Sequence, residues 1–402
     1  MEALAASVNS ISFGVPDRAL AAGAAASFEP PSWERFVAEQ LPRPQRIRDA
    51  HRHYSFRDEG SYYEHLRSSV FCLTWRKGGW VAMRHYEILS SGCIPYFINL
   101  SLMPPCIGPE LPREAILRAM ALSRLREKRL MALAAGDPTN YFVSQLLPAS
   151  AIEEAIPRLR AASVELHDYA GRHLMQSSVA SRFLAAAGAT RKEPIRRILF
   201  LNANTRVPRE CFPIKRLRPD YARDGLFVGL RRLGLVAVDV PRLAWLYDAF
   251  PAMGSRYIYG RGFSYARALS SEESLGGENI TELRQSWWDL LRRRFFDHVV
   301  FSTSGYYFAY TWAPFCPSES REIPAEFHLN AVMSAMEAAG YGPGDVSLVH
   351  GRDQPLHMSF YLQLPQLLRN AHVFIREGIA DDVRLRADYS GADGEAMRPR
   401  QT

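Results

Sequence analysis

A chain of 402 residues is longer than one hydrophobic core usually serves, which predicts two units of about 150 to 200 residues each. Its 47% hydrophobic and 23% charged residues are those of an ordinary globular protein, and no run reaches the ~18 uninterrupted apolar residues that a membrane span needs. A net charge of +7 favours anionic partners, among which nucleoside diphosphates, nucleic acid and anionic membrane surfaces all qualify.

The opening stretch has an early acid and no basic segment ahead of an apolar one, so no signal peptide is expected and the setting reads as cytoplasmic. In chain order the pattern then predicts a strand at Ile11–Val15, a helix at Ser32–Gln40, a strand at His53–Phe56 and a helix at Gly60–Ser69. A strand at Val70–Trp75, a helix from near Trp80 and a strand at Cys93–Ile98 follow. The rigid loop Pro104–Pro112 leads into a basic helix, Arg113–Ala135, broken by Gly136–Pro138, and helices again fill Ala151–Ala187. Gly188–Pro194 combines glycine, charge and proline and reads as the linker.

Beyond it, strands are expected at Arg197–Asn202, Leu235–Val240, His298–Ser302, Val346–His350 and His372–Arg376, separated by helical patterns. Such alternation gives parallel sheets. The chain divides into residues 1–190, residues 195–380 and a polar tail, 381–402. Cys72, Cys93, Cys106, Cys211 and Cys316 form an odd, widely spaced set without C-x-x-C, which predicts buried thiols in place of a disulfide framework or zinc site. The arginine-rich clusters at 124–129, at Lys215 and Arg216, and at 292–294 read as solvated faces.

One stretch carries the chemistry. In RKGGWVAMRHYEILSSGCIPYF, Gly78 and Gly79 allow a ligand close to the backbone, and a helix beginning near Trp80 would aim unpaired N–H groups at an anion. Arg76 and Lys77 add charge beside the loop. Trp80, Arg84, Glu87 and Ser91 share one helical face, while Ala82, Met83, Tyr86 and Leu89 form the packing side. A carboxylate two turns beyond a diphosphate is placed to accept two ribose hydroxyls. His85 is either a core residue or a phosphate contact, and Arg84 with Glu87 has the alternative of a plain surface pair.

The run Tyr62–Leu100, YYEHLRSSVFCLTWRKGGWVAMRHYEILSSGCIPYFINL, resembles the nucleotide-sugar half of exostosin-like and related GT-B glycosyltransferases. The resemblance implies an α/β, GT-B-like fold of two Rossmann-like domains whose parallel sheets face a cleft. Residues 1–190 would be the donor domain and 195–380 the acceptor domain. It also implies that Glu87 holds the ribose of a nucleoside-diphosphate sugar, a UDP-sugar first, and that Lys77, Gly78, Gly79 and Arg84 hold the phosphates, with Arg76 and His85 read beside them from the residues alone. Relatives carry an acidic residue where Val81 stands, so the resemblance leaves the donor sugar open.

Arg218–Leu233, Tyr259–Leu269, FDHVVFS, VSLVHGRDQ and HVFIREG are similar to the partner domain of the same enzymes, in the reverse of the usual order. The opening ISFGVPD resembles the piece that follows a strand like HVFIREG, so the resemblance implies a circularly permuted chain. Transfer with inversion needs a group to take the acceptor proton, and Asp353, Asp220 and His350 are the candidates. Asp220 alternatively caps a helix, Asp353 a turn, and His350 is alternatively structural. Gly260–Phe263 reads as a turn or as part of an acceptor wall.

No D-x-D triplet is present and the histidines lack metal-ligand spacing, so leaving-group charge falls to Lys77, Arg84 and the helix dipole, with no metal required. Glycosyl transfer to a glycan, small-molecule or modified-DNA acceptor is the leading expectation. A sugar-nucleotide epimerase and a basic nucleic-acid-binding module are the alternatives, the last with steeply salt-dependent binding.

Overall fold

The computed structural model describes residues 8–16, 18–20, 56, 58–123, 149–202, 219–252, 254, 258–271, 274–302, 329–351, 356, 361 and 364–377. Among the described residues the strands are β1 (Val8–Ser10), β2 (Phe71–Trp75), β3 (Ile94–Ile98), β4 (Arg197–Asn202), β5 (Val236–Val240), β6 (Ser274–Leu275), β7 (Glu278–Asn279), β8 (His298–Ser302), β9 (Val346–His350) and β10 (His372–Ile375). The helices used below are α1 (Glu59–Arg67), α2 (Met83–Ser90), α3 (Arg113–Leu122), α4 (Ala149–His173), α5 (Gln176–Ala187) and α6 (Tyr221–Arg232).

The fold is α/β. Six parallel strands form one sheet in the order β1-β10-β9-β8-β4-β5. Its strands RILFLN, VAVDV, HVVFS and VSLVH are rich in β-branched and aromatic residues because both faces are covered, which removes the polar–apolar alternation of a half-solvated strand. One face packs around Val299, Phe301, Leu348 and Trp287, the other around Phe200, Phe227, Phe183 and Phe374. β1 comes from the opening of the chain, yet it pairs with β10, Val8 opposite Val373 and Ser10 opposite Ile375. The main chain prolongs this contact through Ile11 N–H to the Ile375 carbonyl at 3.1 Å.

A second, smaller parallel pair, β2 with β3, has its own core of Tyr62, Phe71, Tyr86, Ile88, Tyr96, Phe97 and Ile116. α2 connects β2 to β3, and α3 and α4 pack on the same unit. α2 is buried nearly all round, only Arg84 being half-exposed, so the expected division into a ligand face and a packing face is replaced by a helix enclosed on every side.

β4, β8 and β9 have the bounds the sequence predicts, and β5 and β10 differ by one residue at one end. Two local expectations are corrected. The first strand is Val8–Ser10 and not Ile11–Val15, because the pairing with β10 ends at the Ile11 amide and Val15 makes an isolated bridge to Met175. The motif helix begins at Met83 and not near Trp80, because Trp80 and Val81 are extended away to a distant partner described below. The predicted helix at 32–40, the strand at 53–55, residues 124–135, Lys215, Arg216 and the tail lie outside the described residues.

The expectation of unpaired thiols is also corrected: Cys72 and Cys93 form a disulfide. Parallel pairing sets Cys72 opposite Pro95, which brings the residue just ahead of β3 within bridging reach. Cys106 is exposed and lies outside that bridge. Among the described residues no helix is long and apolar enough to cross a membrane.

Candidate functional site

The loop after β2 is built around its glycines. Lys77 N–H donates to the Gly79 carbonyl at 3.0 Å, which turns the chain so that the next two amides point the same way. Trp80 N–H and Val81 N–H each donate at 2.9 Å to one carboxylate, Oε2 and Oε1 of Glu377 respectively. Glu377 is fully buried and stands two residues past β10. Gly79 is essential to this geometry, since a Cβ there would overlap the same carboxylate. The loop is therefore an oxyanion cradle, and in this structure its oxyanion belongs to the chain itself.

Cations surround the cradle. The Arg376 guanidinium is 3.6 Å from Oε1 of Glu377 and lies 4.7 Å from the Phe13 ring centroid. The Arg76 guanidinium lies 5.4 Å from the Trp80 ring centroid, and the Lys77 ammonium 3.4 Å from that of Trp75. Desolvation first and Arg84 second lower the Lys77 pKa to about 7, although the residue keeps a solvent-facing surface.

His85 clamps the loop to α2. Its Nε2 is 3.0 Å from the Trp80 carbonyl, which only accepts, so Nε2 carries the proton and Nδ1 accepts from the Thr74 hydroxyl at 2.9 Å. Burial drives the imidazole pKa down to about 3, well past the opposing effect of its bond to Trp80. Of the two roles open for His85, the geometry supports the core one. It is a neutral strut, packed 4.3 Å from the Phe97 ring centroid.

Glu87 is 5% exposed, and both its oxygens accept hydroxyl hydrogen bonds. Tyr62 donates to Oε2 at 2.5 Å, and Ser264 donates to Oε1. Burial raises the Glu87 pKa, opposed by those two hydroxyls and by Arg84. The Arg84 guanidinium lies 5.8 Å from the Tyr62 ring centroid and so is on this side of the helix. Ser264 sits in an unusual stretch: Gly260, Arg261, Gly262, Ser264 and Arg267 all have positive φ, 71° at Ser264. Tyr63 hydroxyl reaches the same Ser264 oxygen at 2.7 Å. The segment expected as a turn or an acceptor wall is thus a tight left-handed turn that carries a hydroxyl to Glu87.

The base candidates scatter. Asp220 caps α6, its Oδ1 accepting from Ala222 N–H at 3.0 Å and Arg223 N–H at 3.1 Å, and its carboxylate fills the space beside Gly351. His350 ends β9 and is buried, its carbonyl accepting from Arg376 N–H at 3.2 Å. That bond ties it to the strand end that supplies Glu377. Asp353 and Arg352 lie outside the described residues. The structure thus brings Arg76, Lys77, Gly78, Gly79 and Arg84 to one loop and helix. It separates Asp220, as a cap, from the role of an unencumbered base. Among the described residues no group of three or more His, Cys, Asp or Glu is arranged to hold a metal.

Glu377, Ser264 and Tyr62 are the participants that sequence reasoning passes over. A signal for Glu377 exists, since ligands of open α/β sheets gather at the carboxyl ends of strands, and HVFIREG places it there. Ser264 carries no comparable signal, because its role comes from a hydrogen bond spanning 177 positions.

Comparison with known proteins finds no family model that matches this chain, no matching curated protein and no matching solved structure.

Proposed function

We propose that this chain is a metal-independent glycosyltransferase that takes a nucleoside-diphosphate sugar, a UDP-sugar first, and transfers its sugar with inversion to a hydroxyl acceptor. The observation that carries the reading is the pair of amides at Trp80 and Val81 converging on one oxyanion beside the bare Cα of Gly79. Such a cradle, at the carboxyl end of a parallel strand and ahead of a helix, suits a diphosphate. Arg76, Lys77 and Arg84 supply charge for the leaving phosphate as the bond to the sugar breaks. Glu87, which already accepts two hydroxyls, has the chemistry to accept those of a ribose.

In this reading the β2–β3 unit is the donor side and the six-stranded sheet the acceptor side of a GT-B-like pair of Rossmann-like domains. The contact between the loop after β2 and the residues after β10 supports that pairing, because in each case the carboxyl end of a strand is involved. The opening strand β1 joins the sheet formed by residues 197–375, which weighs against a permuted order, while β2 and β3 pair apart from that sheet. The acceptor proton falls to His350 or Asp353, with Asp220 behind them because its Oδ1 is already engaged by two amides. The Cys72–Cys93 bridge favours an oxidising compartment over the cytoplasmic setting read from the sequence.

The test is a thermal-shift screen against sugar nucleotides, followed by product analysis with and without hydroxyl acceptors. A rise in melting temperature with a UDP-sugar and acceptor-dependent release of UDP are expected. An isomerised donor formed without any acceptor would point to the epimerase instead. The absence of any shift at millimolar donor would remove the reading.

A further inference from the structure

We infer that this structure is a self-occupied state of the donor site, in which the Glu377 carboxylate stands in for the donor's phosphate and the Ser264 hydroxyl for a ribose hydroxyl. The inference deepens the donor-site reading and rests on it. Each stand-in has the chemistry of the group it replaces. A carboxylate takes two convergent amide N–H bonds as a phosphate does, and it lies beside the Arg376 guanidinium. An aliphatic hydroxyl donating to a buried carboxylate is what a sugar hydroxyl would do at Glu87.

The two stand-ins share an origin. Glu377 follows β10 and Ser264 lies in the left-handed turn after Gly262, both in the second half of the chain, while the Trp80 and Val81 amides and the Glu87 carboxylate that they meet lie in the first half. Burial makes the arrangement consequential. Glu377 is fully buried and Ser264 is fully buried, so neither the amides nor Glu87 is open to a ligand until those side chains leave. A non-glycine residue held at φ 71° is a backbone state that persists only while its surroundings impose it, which suits a contact that is made and broken. Donor binding therefore competes with Glu377 at the phosphate end and with Ser264 at the ribose end.

The two ends are separable by experiment. Binding of inorganic pyrophosphate and of UDP to the full chain is measured by calorimetry for the wild type, Glu377→Ala and Ser264→Gly, glycine being chosen because it accepts the positive φ. Emptying the cradle should tighten both ligands by about tenfold or more, the factor by which an occupied site dilutes its competent fraction. Removing the Ser264 hydroxyl should tighten UDP and leave pyrophosphate within about twofold of the wild type, since its effect on the competent fraction falls at the ribose end. Glu377→Gln, which keeps one acceptor for the amides and loses the charge, replaces Glu377→Ala if circular dichroism shows the alanine variant unfolded.

Wild type and both Glu377 variants binding UDP equally well would overturn the self-occupied state and leave the donor site standing. No binding of either ligand by any folded variant would overturn both.

Discussion

Trp80 and Glu377, 297 positions apart in the chain, meet through a 2.9 Å hydrogen bond from a main-chain amide to a carboxylate. That bond and its neighbour at Val81 place a buried negative charge in the loop that the sequence marks for an anion. The cradle has room for it only because residue 79 has no side chain.

Gly79→Ala should accordingly destabilise the fold by about 1–3 kcal/mol, the usual cost of forcing a methyl group into filled space. The double variant Gly79→Ala/Glu377→Ala should recover part of that loss, because the alanine methyl then occupies vacated space. Urea unfolding of the four members of this cycle measures the coupling. Additive losses would show that the two positions do not share the space the structure assigns them.

Lys77 gives a proton-linked prediction. Its pKa is lowered to about 7, so much of the population is neutral at pH 8, whereas a bound diphosphate would favour the ammonium. Donor binding at pH 8 should therefore take up protons, and the uptake should fade toward pH 6, where the ammonium is already formed. Calorimetry in two non-phosphate buffers of different ionisation enthalpy detects it. Lys77→Arg, with its permanent charge, should abolish the buffer dependence. Equal uptake in the variant would assign the proton to another group.

The strands of the large sheet are legible in the sequence because their cause is local: a strand covered on both faces is a short unbroken apolar run, as RILFLN and VSLVH are. What the sequence hides is non-local. The helix start was misplaced to Trp80 because the amides there answer to Glu377 from the far end of the chain. The pairing of Cys72 with Cys93 depends on β2 and β3 lying side by side, which no cysteine spacing reveals. Reading Glu87 for a ribose does not foresee that its oxygens answer to Tyr62 and to Ser264, the latter arriving on a turn of five positive-φ residues.

The disulfide closes a loop of 21 positions that contains the cradle and all of α2. Its reduction should lower stability by about 3 kcal/mol in the loop-entropy picture. Thermal melts with and without a reductant test this, with Cys72→Ser/Cys93→Ser as the control that no longer responds. A melting temperature indifferent to reductant in the parent chain would mean that the bridge contributes nothing to the fold.

His85 sets a pH dependence whose sign is fixed by its burial. The folded pKa near 3 lies below the ordinary imidazole value of 6.5, so the unfolded chain binds the extra proton between those values. Its contribution is present in full above pH 6.5 and is lost as pH falls toward 3, by about 1.4 kcal/mol per unit at most. Buried His298, also near 3, acts in the same sense, and buried Asp224, raised to about 6, acts in the opposite one. The clean readout is a difference: the stability gap between the wild type and His85→Asn should narrow between pH 7 and pH 5. A gap that stays constant would mean that His85 takes up its proton as readily in the fold as in the unfolded chain.

Where a nucleoside diphosphate touches the chain decides the role of the Trp80 and Val81 amides. With the main-chain amides labelled, UDP is titrated into the wild type and into Gly79→Ala. The Trp80 and Val81 resonances should move in the wild type as Glu377 is displaced, and this response should be lost in the variant. UDP bound with those two amides unmoved, or bound equally by both proteins, would contradict a phosphate-holding role for them.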